Sequence, residues 1–166
     1  MTTKWKTLNG NPIDDIHEFI RVETRGNQPI HIGTDSLQTM RWTQFVTVVV
    51  ILNPPKGGRV AYVRDIVPRI HSLRKRLMDE VWRSVSFAME LSPSLDLSIH
   101  IDASPEEKNM SSRYLQELAG LVVGQGFRAL WKPKSWASTT VADFVVRTQG
   151  KLPRNGSQLA LKAGVA

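Results

Sequence analysis

The 166-residue chain contains no cysteine. That excludes disulfide staples, thiolate zinc sites and a cysteine nucleophile, and it fits a reducing, cytoplasmic interior. Long apolar runs are missing as well. No stretch approaches the roughly 20 apolar residues a transmembrane helix requires. The opening Met-Thr-Thr-Lys-Trp-Lys lacks the apolar core of a secretion signal. A glycine-rich phosphate loop is also absent. Gly57-Gly58 has neither Walker nor Rossmann spacing and reads as hairpin chemistry. Acidic residues are the minority charge, 15 against 22 Lys and Arg, for a net +7. Residues 59–83 hold seven bases against three acids, and 128–166 seven against one, whereas the first 27 are balanced at four each. A basic surface of this kind favours a polyanion partner such as nucleic acid.

Hydrophobic residues make up 41% of the chain, enough for a core, and the length suits one domain. Residues 1–10 show no periodicity and read as a loose arm. Asn11-Pro12 reads as the cap and first residue of a helix over 12–23, ended by Arg25-Gly26-Asn27. A strand follows at 29–35, then a turn at 36–41. The β-branched run 43–52 is a second strand, and 59–66 returns as a third across the turn-forming loop 53–58. Leu73, Leu77, Glu80, Val81, Ser84, Phe87, Ala88 and Leu91 recur at helical spacing over 71–91 and place Glu80 on the inward stripe. Further elements are a strand at 97–102, a helix at 110–123, a strand at 127–131 and a helix at 136–149. The pattern predicts a five-stranded mixed α/β sheet, its first three strands antiparallel, with helices on both faces. Residues 1–149 form the domain, with 1–28 as arm and short helix, and 150–166 a basic, flexible tail.

Four carboxylates stand out in that order. Asp35 ends Pro29-Ile-His-Ile-Gly-Thr-Asp35, and Asp102 ends Leu97-Ser-Ile-His-Ile-Asp102. Glu80 lies inside the long helix and Asp143 in the last one. Acids at the carboxyl ends of neighbouring strands sit where α/β sheets bind ligands. A few carboxylates are what Mg²⁺ or Mn²⁺ requires beside a phosphate, and two such ions clamp an in-line displacement at phosphorus.

This order of elements and acids resembles the ribonuclease H-like superfamily of two-metal nucleases, recombinases and transposases. Gly33-Thr-Asp-Ser36, Arg76-Leu-Met-Asp-Glu80, His100-Ile-Asp102 and Lys132-Pro-Lys-Ser-Trp-Ala-Ser138 ahead of Ala142-Asp143 resemble its bacterial YkuK-type family of predicted nucleases. The resemblance spans residues 16–148. It implies that Asp35, Glu80, Asp102 and Asp143 are the metal-binding and catalytic acids of a metal-dependent nuclease. The acid-bearing segment Pro105-Glu-Glu-Lys-Asn109 departs from a plain turn.

Each residue also has a plainer reading. Asp35 would cap a turn with Ser36, Glu80 would pair with Arg76 or Arg83, and Asp143 would be a first-turn acid favoured by the helix dipole. His31 and His100 share faces with their acids, and two hydrogen-bonded histidines inside the sheet are a simpler account than a zinc or manganese site. Arg74, Lys75, Arg76, Lys132 and Lys134 lie near sheet edges where a phosphate backbone would run, and Trp136 is placed to stack on a base. The alternative function is a nucleic-acid-binding domain of the same fold that does no chemistry. A nucleotide-binding, actin-like use of the fold normally needs two such domains. RNA or DNA, endo- or exonuclease action and oligomeric state are not encoded in any motif.

Overall fold

The computed structural model describes residues 4–24, 27–54 and 57–148. The tail at 150–166, Arg25-Gly26 at the expected helix stop, and Pro55-Lys56 in the loop lie outside these residues. One mixed sheet of seven strands organises the rest, in the order β2-β1-β5-β4-β3-β6-β7. Its centre is the meander β3 (Ile30–Gln38), β4 (Trp42–Leu52) and β5 (Gly58–Pro68), paired antiparallel along nearly their full lengths. The β-branched run of β4, buried from Phe45 to Ile51, is covered on both faces. β6 (Leu97–His100) joins β3 in parallel after α2 (Leu73–Met89). β7 (Arg128–Leu130) joins β6 in parallel after α3 (Leu115–Gly124).

Two strands beyond the expected five come from the supposed arm and the expected helix start. β1 (Trp5–Thr7) and β2 (Pro12–Ile13) form a small hairpin on the edge of β5, with Lys6 opposite Tyr62. The hairpin turns through Gly10 at φ +87°, a conformation glycine adopts without steric cost. The Asn11 carbonyl accepts the Thr7 N–H, so Asn11 closes this turn and caps no helix. Asp15 is the cap of α1 (Ile16–Glu23), its carboxylate accepting from the His17 and Glu18 N–H groups at 2.9 and 3.1 Å. The first strand is also longer than expected. It continues through Asp35 to Gln38, because β4 supplies a full antiparallel ladder to Thr-Asp-Ser residues that have little strand preference of their own.

Alternation along β3 sends Ile30, Ile32, Thr34 and Ser36 to one face and His31, Gly33, Asp35 and Leu37 to the other. On the first face α1, α2 and α3 bury a core that includes Ile20, Ile30, Ile32, Val49, Val81, Val85, Ile99, Leu118 and Val122. Ser72 starts α2 by accepting the Lys75 N–H. On the second face a π-helical turn (Ala137–Ala142) runs into α4 (Asp143–Thr148), and Ala137, Val141 and Val145 pack on Val46, Val48, Val50 and Tyr62. Seating that turn requires Gly33. A Cβ there would lie 2.7 Å from the Ser138 backbone nitrogen and 3.0 Å from the Ala137 carbonyl carbon. Because backbone must move to admit it, Gly33→Ala is expected to cost about 1–3 kcal/mol. Chemical denaturation against wild type measures this, and an unchanged midpoint would refute the close approach.

Candidate metal centre

β3 runs on to Gln38, but its parallel partner β6 stops at His100, opposite Gly33. From Thr34 onward β3 is paired on its β4 side and, among the described residues, lacks a strand partner on the β6 side. The chain leaves β6 through Ile101 and Asp102, held outward by the Ile101 N–H donating to the Leu130 carbonyl at 2.7 Å. A notch opens between the two strands at their carboxyl ends, and the acids gather around it.

Asp35 enters from β3 on the face covered by α4, where its Oδ1 accepts the Ser36 N–H at 2.8 Å. Burial is the main cause that raises its pKa to about 7, followed by the negative charge of Asp102, with a smaller contribution from Asp143. Glu80 approaches from the opposite face, on α2. It is 4% exposed, and its Oε1 accepts the Ser36 hydroxyl at 2.5 Å. Burial pushes Glu80 up to about 8, and Asp35 and Asp102 push in the same direction, against the Ser36 hydrogen bond and Arg76. Arg76 Nη1 donates to Ser36 Oγ at 3.0 Å and stands 3.9 Å from Glu80 Oε1. Asp102 pairs with Lys132, Nζ to Oδ1 at 2.6 Å, and that buried oxygen accepts no hydrogen bond of normal geometry. Asp143, at the start of α4, pairs with Arg147 at 2.5 Å.

Asp35 therefore lies within electrostatic reach of Asp102 and Asp143, and Glu80 of Asp35 and Asp102, but the four sequence-predicted acids do not converge. Among the described residues no group of three or more His, Asp or Glu side chains is placed to hold a metal ion. As a donor set they are carboxylate oxygens, the ligand type of a hard cation, and burial above all raises two of them, Asp35 to about 7 and Glu80 to about 8.

The basic residues divide. Arg76 and Lys132 point into the notch, whereas Arg74 pairs with Glu117 on α3 and Lys75 with Asp79 at 3.2 Å. Lys134 is exposed. Arg83 pairs with Asp65, leaving Arg76 as the cation beside Glu80. Trp136 is half-buried, its ring against His31 and His100 at centroid distances of 4.8 and 5.0 Å. The two histidines join at 2.9 Å, His31 Nδ1 to His100 Nε2. His100 Nδ1 accepts the Ala137 N–H, so His100 Nε2 carries the proton and donates to His31. Burial above all lowers His31 to about 4 and His100 to about 3, and the pair ties β3 and β6 to the π-helical turn as neutral rings. Sequence reasoning missed Ser36 as the bridge between Arg76 and Glu80, although it adjoins Asp35. It also missed Arg147, whose signal was its place four residues after Asp143.

The mixed α/β architecture agrees with the family the chain matches. Residues 11–147 match the Ribonuclease H-like family, and the chain belongs to it. The chain is also similar to the uncharacterized protein YkuK of Bacillus subtilis (strain 168), at 24% identity over 148 residues, covering 79% of this chain and 86% of the relative. That similarity supports the YkuK-type assignment. No solved structure gives a significant match. Among the described residues no helix is long and apolar enough to cross a membrane.

The raised acids also set how stability varies with pH. An acid whose pKa is higher folded than unfolded stabilises the fold below its unfolded pKa and loses that contribution as pH rises through the folded one. Without metal, Asp35 and Glu80 therefore destabilise the fold between about pH 4 and pH 8. Asp35→Asn is expected to raise the metal-free melting temperature near pH 8 and change it little near pH 4. Melting curves across that range check this, and equal effects at both ends would contradict it.

Proposed function

We propose that this protein is a divalent-metal-dependent nuclease that hydrolyses phosphodiester bonds in nucleic acid. Asp35 and Asp102 would hold Mg²⁺ or Mn²⁺ between the two strand ends, with Glu80 and Asp143 completing the oxygen set. Bound there, such ions supply an activated water and charge neutralisation at the leaving oxygen. The observation that carries this reading is the proton excess at the notch, with Asp35 raised to about 7 and Glu80 to about 8 beside a third acid that acts on both. Buried carboxylates that raise one another's pKa gain from a cation that offsets their charge, and a divalent ion displaces protons from such a site.

The chain's own cations have a matching part. Lys132 and Arg147 neutralise Asp102 and Asp143 in the metal-free protein. Released from those acids, both are positioned to meet substrate phosphates. Ser36 keeps Glu80 drawn toward β3, and Arg76 fixes the Ser36 hydroxyl. Arg74, Lys75 and Lys134 would extend the phosphate track. Trp136 is left out of the interface because its ring packs on the two histidines. The lack of cysteine favours action in a reducing interior such as the cytoplasm.

A second reading, a nucleic-acid-binding domain without chemistry, is favoured by the acids being paired with cations rather than converged. Calorimetric titration of Mn²⁺ separates the two, with circular dichroism confirming the fold of each variant. The nuclease reading expects saturable binding in wild type that is lost in Asp35→Asn, and cleavage within a panel of RNA, DNA and hybrid substrates that the same variant abolishes. Cleavage retained in Asp35→Asn rejects the assignment. Nucleic-acid affinity without metal binding or cleavage selects the binding domain.

A further inference from the structure

Beyond Asp35, the described residues leave the α4 face of the sheet uncovered. Leu37 continues the face two residues on, and in register it stands opposite Gln44, which stands opposite Ile66. One row further, Trp42 stands opposite Pro68. Directly paired residues project to the same face, so these side chains form a shelf in line with Asp35. The shelf is apolar and open. Leu37 is 41% exposed, Trp42 51% and Ile66 60%. α4 and the π-helical turn pack on Val46, Val48, Val50 and Tyr62 and leave these positions free of the second core.

Charge marks the shelf's outer end. Arg41 and Arg69 are exposed there and joined through the Arg69 N–H and the Arg41 carbonyl. Among the described residues neither guanidinium has an ion-pair partner, whereas Arg74, Lys75, Arg76, Arg83, Lys132 and Arg147 all do. At about 3.4 Å per residue, four residues along the strand put the Trp42 row about 14 Å from Asp35. An aromatic platform with aliphatic neighbours and unpaired arginines is the chemistry that holds unpaired nucleotides, by base stacking and phosphate contacts. A rigid duplex buries its base faces and has none to offer the platform.

We infer that Leu37, Trp42 and Ile66, with Arg41 and Arg69, bind a single-stranded stretch of nucleic acid and lead it to the carboxylate notch. This rests on the nuclease reading for its destination but not for its binding. The test is fluorescence anisotropy of a labelled oligouridine, and of the same strand paired with oligoadenosine, with divalent ions chelated so that nothing is cleaved. Wild type is expected to prefer the single strand. Trp42→Ala should weaken it by about tenfold while changing duplex affinity little, and Trp42→Phe should restore most of the loss. Arg41→Gln should weaken both and flatten the salt dependence. Equal single-strand affinity in wild type and Trp42→Ala overturns the inference. So does sedimentation showing a wild-type dimer that Trp42→Ala dissociates, since the shelf would then be covered by a second copy. If Asp35→Asn binds oligouridine normally and wild type cleaves nothing, the nuclease reading fails and the shelf stands. If wild type cleaves and Trp42→Ala binds and cleaves unchanged, the shelf fails alone.

Discussion

Like charge at close quarters is the constraint around which this molecule is arranged. Asp35, Glu80 and Asp102 come from three different elements and from both faces of one sheet, yet each raises or is raised by another. Burial alone makes such acids costly, and their mutual repulsion adds to the cost. The surroundings answer with a cation for three of the four acids: Arg76 near Glu80, Lys132 on Asp102 and Arg147 on Asp143. Asp35 has no ion pair of this kind among the described residues, and it is the one whose carboxylate leans on a backbone N–H instead.

β3 is what makes the gathering possible. It is the one strand with an antiparallel partner on one side and a parallel partner on the other, and it outlasts the parallel one. The unpaired length is where α2 delivers Glu80 and where the departing chain delivers Asp102. Opposite, the absent side chain of Gly33 lets backbone pack against backbone, which brings the start of α4 down onto the strand and Asp143 with it. The neutral histidine pair and Trp136 secure the same junction without adding charge to a region that has too much.

Much of this was legible in the sequence, for identifiable reasons. The β-branched run of β4 and the three-four spacing of α2 are long, strongly periodic segments, and such segments declare their type. The inward stripe of α2 carried Glu80 with it. What escaped was short or depended on partners. Two strands of three and two residues contain no period to detect, so Trp5–Thr7 and Pro12–Ile13 passed for an arm and a helix start. Asp35 was expected at the end of its strand because Thr-Asp-Ser reads as turn chemistry. The ladder with β4 overrode that preference, and no local pattern records a neighbour 11 residues away. All four acids were identifiable, but not that they stand apart, since distance between side chains from opposite faces is set by the sheet and not by spacing along the chain.

The small hairpin at the start of the chain has a bearing on assembly. An open sheet exposes unpaired backbone at its margins, and long flat margins recruit strands from other molecules. Here one margin is a two-residue strand containing a proline, and the other a three-residue strand that follows a glycine turn. Neither offers enough backbone to template a partner, and Pro12 lacks the donor altogether. Among the described residues the backbone open to a partner strand therefore lies inside the sheet's outline and not at its two outermost strands: along β5 beyond Tyr62, which β1 leaves unpaired, and along β3 beyond Gly33.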